Sequence, residues 1–226
     1  MTKSQNARYA SALKSKNWQD DYWLLLMQLY LRNPVGVKPV YSRALVELSL
    51  ELHIAPEQLH ELLNQISRLE TPRIERIWEE YSRNPKRLSR AVQLLRGMMG
   101  FNSSGDFYEG VEMEETFERH FRPLPEESRL KPFMLVLILD LYFQLTPLTM
   151  VEETPEVQEL ARLMKIPAKL VAEVMEVFQQ CDPYLNRKDK TAHPLKDACQ
   201  QIWNQYGNID TQLLQLYAGQ LKEYFK

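Results

Sequence analysis

The stretch Leu48-Ser49-Leu50-Glu51-Leu52-His53-Ile54-Ala55-Pro56-Glu57-Gln58-Leu59-His60-Glu61-Leu62-Leu63 has a counterpart that begins at Leu160. That counterpart is Leu160-Ala161-Arg162-Leu163-Met164-Lys165-Ile166-Pro167-Ala168-Lys169-Leu170-Val171-Ala172-Glu173-Val174-Met175, and no gap is needed to align the two. Leu59, Leu62, Leu63 and Ile66 fall on Val171, Val174, Met175 and Phe178. Apolar residues recur at three and four in both copies, on either side of Ile54 and Ile166. That period belongs to an amphipathic helix. Pro56 and Pro167 interrupt it, so each stretch predicts two short helices joined by a tight turn.

Working outward, Leu29-Tyr30 falls on Leu141-Tyr142 in the same register, an offset of 112. Ile77-Trp78-x-x-Tyr81 matches Ile202-Trp203-x-x-Tyr206 at an offset of 125, with Asn208 and Leu213 near the places of Asn84 and Leu88. The difference between the two offsets is assigned to an insertion between Cys181 and Ala192. Trp and Tyr repeated in one order predict a duplicated chain rather than two unrelated helical segments. Three parts follow: a first helical repeat domain with a basic surface over 1–101, an acidic and partly helical linker over 102–130, and a second helical repeat domain over 131–226. The linker holds five glutamates between Glu109 and Glu118. Its Phe107, Tyr108, Phe117 and Phe121 predict packing on a domain, with one helix around 111–121.

Within each repeat, Trp23–Leu31 and Phe133–Leu145 are apolar on nearly every face, which predicts helices at the centre of a bundle. Helices are predicted over 41–53 and 155–165, then 57–69 and 168–180. Thr154-Pro155 reads as an N-cap and first helical residue. Pro72 and Pro194 open the Trp-bearing helices, and Pro85 precedes one more. No stretch alternates for long enough to predict a strand, so the fold class is all-α.

The two aligned stretches resemble the helix-turn-helix family, which often reads L-A-x-x-L-G-I-S-x-x-x-V-x-x-x-L across its turn. A small residue, Ser49 or Ala161, lets the helices approach, and Ile54 or Ile166 plugs the angle between them. His53 and Lys165 stand where the family usually has Gly. A left-handed turn costs a non-Gly residue about 1 kcal/mol, so the departure counts against groove reading. The resemblance implies that the second helix enters the DNA major groove. The outward positions there are Glu57, Gln58, His60, Glu61, Asn64 and Gln65 in the first copy, and Lys169, Ala172, Glu173 and Glu176 in the second. Gln58, His60, Asn64 and Lys169 are the candidate recognition surface. Neither set offers an Arg, the commonest base reader, and glutamates repel phosphates.

Composition sets the wider bounds. The chain has 226 residues, of which 44% are apolar and 26% charged, and fits one large or two small globular domains. Seven glycines leave few positions for phosphate-cradling loops or tight hairpins. Cys181 and Cys199 form no C-x-x-C pair and read as reduced thiols, which predicts a cytoplasmic protein. Met1 to Asn6 leads into no apolar signal region. The stretch Phe133–Leu145 falls well short of the roughly 20 residues that span a bilayer, so no membrane partner is expected.

The net charge of −2 hides an asymmetry: residues 1–101 carry 15 basic and 10 acidic groups, and residues 102–226 carry 13 and 20. Arg73, Arg76, Arg83, Lys86, Arg87 and Arg90 form a candidate surface for nucleic acid or an acidic partner. Oppositely charged halves steer protein association, including self-association, as well as they steer DNA.

No catalytic, metal or cofactor site is expected. His53, His60, His120 and His193 form no H-E-x-x-H, and neither a nucleophile elbow nor a phosphate-binding loop occurs. His193 precedes Pro194 and reads as a capping residue. Asp140, inside an apolar helix, and Gln28 at the corresponding place are expected to hydrogen-bond across the bundle. Trp78, Tyr81, Trp203 and Tyr206 read as packing. The sequence therefore predicts tandem helix-turn-helix-like domains in a non-enzymatic binding or regulatory protein. Protein is the expected partner, with DNA as the second partner class.

Overall fold

A computed structural model describes residues 18–98, 101, 117–185 and 192–226. Among these every regular element is a helix: eleven α-helices and two short 3-10 segments, with no strand. The chain divides into two compact units, Met1–Glu114 and Glu115–Lys226.

The first unit holds α1 (Tyr22–Leu31), α2 (Arg43–Leu52), α3 (Pro56–Arg68), α4 (Pro72–Tyr81) and α5 (Pro85–Arg96). Helix α1 buries Tyr22, Trp23, Leu25, Leu26, Met27 and Leu29, and it packs against α3, α4 and α5. The other helices are one-sided, as their periodicity requires. Leu59, Leu62, Leu63 and Ile66 line the inner face of α3, and Leu88, Val92 and Leu95 that of α5. Burying a leucine fully stabilises the fold by about 1.5–3 kcal/mol. Leu26, Leu45, Leu62 and Leu63 are 0% exposed. Tyr30 meets Trp78 edge-on, with centroids 5.9 Å apart.

The second unit holds α6 (Phe117–Phe121), α7 (Pro132–Tyr142), α8 (Pro155–Met164), α9 (Ala168–Cys181), α10 (Lys196–Tyr206) and α11 (Thr211–Leu221). All of Phe133 to Tyr142 is buried, and α7 packs against each of the other five helices. Here Tyr142 meets Trp203 edge-on at 5.7 Å. Gly207 allows that packing, because a Cβ there would lie 2.9 Å from the Trp203 ring. Phe121 stands 5.2 Å from Phe133, so the last part of the predicted linker belongs to this unit's core. The helix expected around 111–121 is found over Phe117–Phe121, and Phe117 is half-buried. Phe107, Tyr108 and four of the five linker glutamates lie outside the described residues, as does 186–191 within the predicted insertion.

Proline sets many of the boundaries. Five helices begin at Pro56, Pro72, Pro85, Pro132 and Pro155, where the missing N–H has no intrahelical use. Pro194 does not open α10, which starts at Lys196; instead His193 Nδ1 accepts the Leu195 N–H at 3.2 Å. Thr154 holds the N-cap position of α8, but its hydroxyl donates to the Thr149 carbonyl at 2.6 Å and caps nothing. Real side-chain caps occur at Thr71, Asn84 and Asp210.

The turns after α2 and α8 each pass through one left-handed residue. His53 has φ 54° and Lys165 φ 57°, both left-handed, although neither is Gly. Backbone bonds Ile54 N–H to Ser49 O (3.1 Å) and Ile166 N–H to Ala161 O (3.0 Å) close the turns. The missing glycine therefore leaves the turn conformation intact and only adds strain. Ile54 is buried as expected, whereas Ile166 is only half-buried.

Relieving that strain gives a direct test. His53→Gly and Lys165→Gly are each expected to raise unfolding free energy by up to about 1 kcal/mol in urea. A lower midpoint would mean that the side chains contribute more than the backbone strain costs. Leu63→Ala should cost about 2–5 kcal/mol. Leu94 is 73% exposed. Leu94→Ala should therefore change stability by no more than about 0.5 kcal/mol.

Candidate functional site

Helices α2 and α3 meet through three residues, His53, Ile54 and Ala55. On α3 two of the side chains proposed for recognition, His60 and Asn64, are engaged locally. The Tyr41 hydroxyl donates to Glu57 Oε1 at 2.5 Å, which holds a carboxylate on the first turn of the helix. Asn64 Nδ2 donates to the His60 carbonyl at 3.1 Å and lies 3.4 Å from His60 Nδ1. Burial lowers the His60 pKa, against a smaller opposite pull from Glu61. Gln58 is half-buried. Gln65 does not face outward as its sequence position suggested: it is 2% exposed and sits among the core residues of α3. In the second unit Lys169 is exposed and stands 4.0 Å from Glu173, one helical turn on.

Arg73, Arg76, Arg83, Lys86, Arg87 and Arg90 all lie on the exposed surface of the α4–α5 pair. Two of them are engaged: Arg87 with Glu80 at 2.5 Å and over the Tyr81 ring, and Arg73 at 4.0 Å from Asp21. Arg76, Arg83, Lys86 and Arg90 make no ion pair with any described residue. Each of these four cations is exposed to solvent.

A groove that the sequence did not announce lies between α1, α2 and α5. Its volume is about 700 Å³. Leu25, Leu29, Leu48 and Leu88 contribute an apolar floor, and Ala44 and Val35 widen it. Glu47, Glu51, Arg32 and Arg96 supply the rim. Arg96 holds Glu51 through two bonds of 2.6 and 2.8 Å, and Arg43 holds Glu47 at 2.8 Å, so both signs are present and largely paired. Residues from three separate segments build this groove, and only their folded proximity reveals it.

Gln28 and Asp140 do not share one environment. Gln28 borders the groove, half-buried, with Nε2 3.4 Å from Ser89 Oγ. Asp140 is 5% exposed within α7. Burial pushes its carboxyl above the ordinary carboxylate range, opposed by the nearby Lys222 and by a side-chain hydrogen bond with Gln144.

Sequence inspection also passed over Lys38, which is only 8% exposed. Its ammonium donates to the Arg32 carbonyl at 2.7 Å and to the Pro34 carbonyl. It thereby collects acceptors beyond the end of α1, where carbonyls lack intrahelical partners. Cys181 and Cys199 are free and buried, and burial raises both thiol pKa values. Among the described residues no group of three His, Cys, Asp or Glu side chains is placed to hold a metal, and no helix is long and apolar enough to cross a membrane.

Compared with known proteins, the chain matches no family model, no curated protein sequence and no solved structure.

Asp140 gives a pH-dependent prediction. A raised folded pKa means that the folded state holds this proton more tightly than the unfolded chain, so ionisation at neutral pH opposes folding. Asp140→Asn should therefore unfold at higher urea than the wild type at pH 7. The difference should shrink as pH falls and vanish below the unfolded value of about 3.9. A variant less stable at pH 7 would show that the Lys222 attraction outweighs the cost of burial.

Proposed function

We propose that this chain is a non-catalytic, cytoplasmic binding or regulatory protein built from a duplicated helical domain. Each domain contains a helix-turn-helix-like pair, and the contacts are mainly to protein. The duplication is supported by features that coincide in both units. The left-handed residues His53 and Lys165 occupy the same place in the two aligned stretches, and the edge-on pairs Tyr30–Trp78 and Tyr142–Trp203 sit at matching places.

The observation that carries the choice of partner is the state of α3. Its first turn presents Glu57, its Asn64 amide is turned onto its own helix, and Gln65 is inside the core. Groove reading needs free donors at base edges and cations toward phosphates, and this surface supplies neither in quantity. The groove between α1, α2 and α5 suits a different occupant. Its floor is apolar, its rim mixes paired charges, and no strand edge is present among the described residues to satisfy an extended backbone. A helix satisfies its own backbone groups, so the apolar face of a partner helix is the occupant we assign.

A second reading rests on Arg76, Arg83, Lys86 and Arg90. Four exposed cations without ion pairs among the described residues suit a polyanion, and DNA would meet this face through its phosphates.

One pair of measurements separates the readings. A photo-crosslinker at Val35 should capture a protein from native lysate, and Ala44→Arg, which fills the groove, should abolish capture. Fluorescence anisotropy with random duplex at low salt should show no salt-sensitive micromolar binding. Binding lost on Arg83→Glu with Arg90→Glu would replace the protein reading with the DNA reading.

A further inference from the structure

The groove between α1, α2 and α5 has a rim whose acids are committed and several of whose cations are not. Both lining carboxylates are held within the unit: Glu51 by Arg96 at 2.6 and 2.8 Å, and Glu47 by Arg43 at 2.8 Å. Arg32 lines the groove where α1 ends, is exposed, and makes no ion pair with any described residue. The buried Lys38 ammonium donates to the carbonyl of this same residue at 2.7 Å, so a second cation stands close by.

The α5 side repeats the pattern. Pro85 and Ser89 line the groove, and Lys86 and Arg90 each follow by one residue. One residue is a rotation of about 100°, so both cations stand on the flank of α5 next to the lining, about one helical turn apart. Both are exposed, and neither has an ion pair among the described residues. A partner's acids therefore find Arg32, Lys86 and Arg90 uncommitted. A partner's lysines or arginines find only the carboxylates that Arg43 and Arg96 already hold. Rim charge of this kind steers encounter and rejects like-charged partners. The floor of Leu25, Leu29, Leu48 and Leu88 asks the same ligand for an apolar stripe, which the phosphate surface of a duplex lacks.

We propose that the groove takes an acidic amphipathic helix, with its apolar stripe on the leucine floor and its carboxylates toward Arg32, Lys86 and Arg90. This assignment rests on the groove's holding a partner helix, and adds the sign of that helix's charge. It gives the unpaired cations of α5 a part in protein binding and joins them to the apolar floor as one surface.

Fluorescence anisotropy with labelled synthetic peptides and the full chain tests this. Each peptide has about 18 residues, enough to form a helix, and carries leucines at i, i+3, i+4 and i+7. The polar positions beside that stripe are glutamate in one, glutamine in another and lysine in a third. A fourth has the composition of the glutamate peptide in scrambled order, without the stripe. The glutamate peptide should bind at least about tenfold more tightly than the lysine peptide, with the glutamine peptide between them. Its affinity should fall as salt is raised. Lys86→Glu with Arg90→Glu should erase the preference for glutamate over lysine, and Arg32→Glu should weaken the glutamate peptide by about threefold or more. Circular dichroism on each variant checks that these exposed positions have been changed without unfolding. Equal binding of the three striped peptides leaves the groove a helix site and overturns its preference for acid. Binding by none of them overturns the helix-binding reading itself, and this assignment with it. A scrambled peptide or a random duplex that binds as tightly as the glutamate peptide also overturns it, because the cations would then serve a polyanion without the floor.

Discussion

Each unit depends on removing from water one helix that has no polar face. Ten consecutive residues of α7, Phe133 to Tyr142, are buried, and one of them is the carboxylic acid Asp140. A helix with no polar side cannot rest on a surface, so the other helices must surround it. Their one-sided patterns are the complement of that requirement. Helix α1 imposes the same demand less completely, because Leu24 and Gln28 remain half-buried and Leu25 and Leu29 help to floor an open groove. The groove is thus a place where the enclosure of a central helix was left unfinished.

Helix positions were legible because proline and periodicity report local physics. Pro56, Pro72, Pro85 and Pro155 each stand at a first helical residue, and the inner stripe of α3 follows from the spacing of Leu59, Leu62, Leu63 and Ile66. Gln65 escaped because polarity suggests the surface, while its angular position between Leu62 and Ile66 points inward. His53 and Lys165, already placed in the turns by sequence, reflect another balance. Turn chemistry favours glycine by only about 1 kcal/mol, and closing two helices over a buried isoleucine exceeds that cost at Ile54. The groove and the carbonyl-binding Lys38 join segments distant in sequence, and no local pattern encodes such proximity.

The electrostatics show a similar division between local and assembled information. Counting charges along the chain locates the cations of α4 and α5 correctly. It does not reveal that Arg87 and Arg96 are committed to Glu80 and Glu51, while Arg76, Arg83, Lys86 and Arg90 have no such partner among the described residues. Net charge per segment therefore overstates some sites and understates others. Which surface a polyanion would feel is decided by these pairings.

The final helix carries a lesson about phase. Aligning Leu88 with Leu213 follows from counting residues from Trp78 and Trp203, yet Leu213 is solvent-exposed and Leu214 is the buried neighbour. One residue along a helix is a rotation of about 100°, enough to exchange inside for outside. The turn between Tyr206 and the Asp210 cap thus works as a gear setting. Its length, more than the composition of α11, selects which side chains the protein shows to the world.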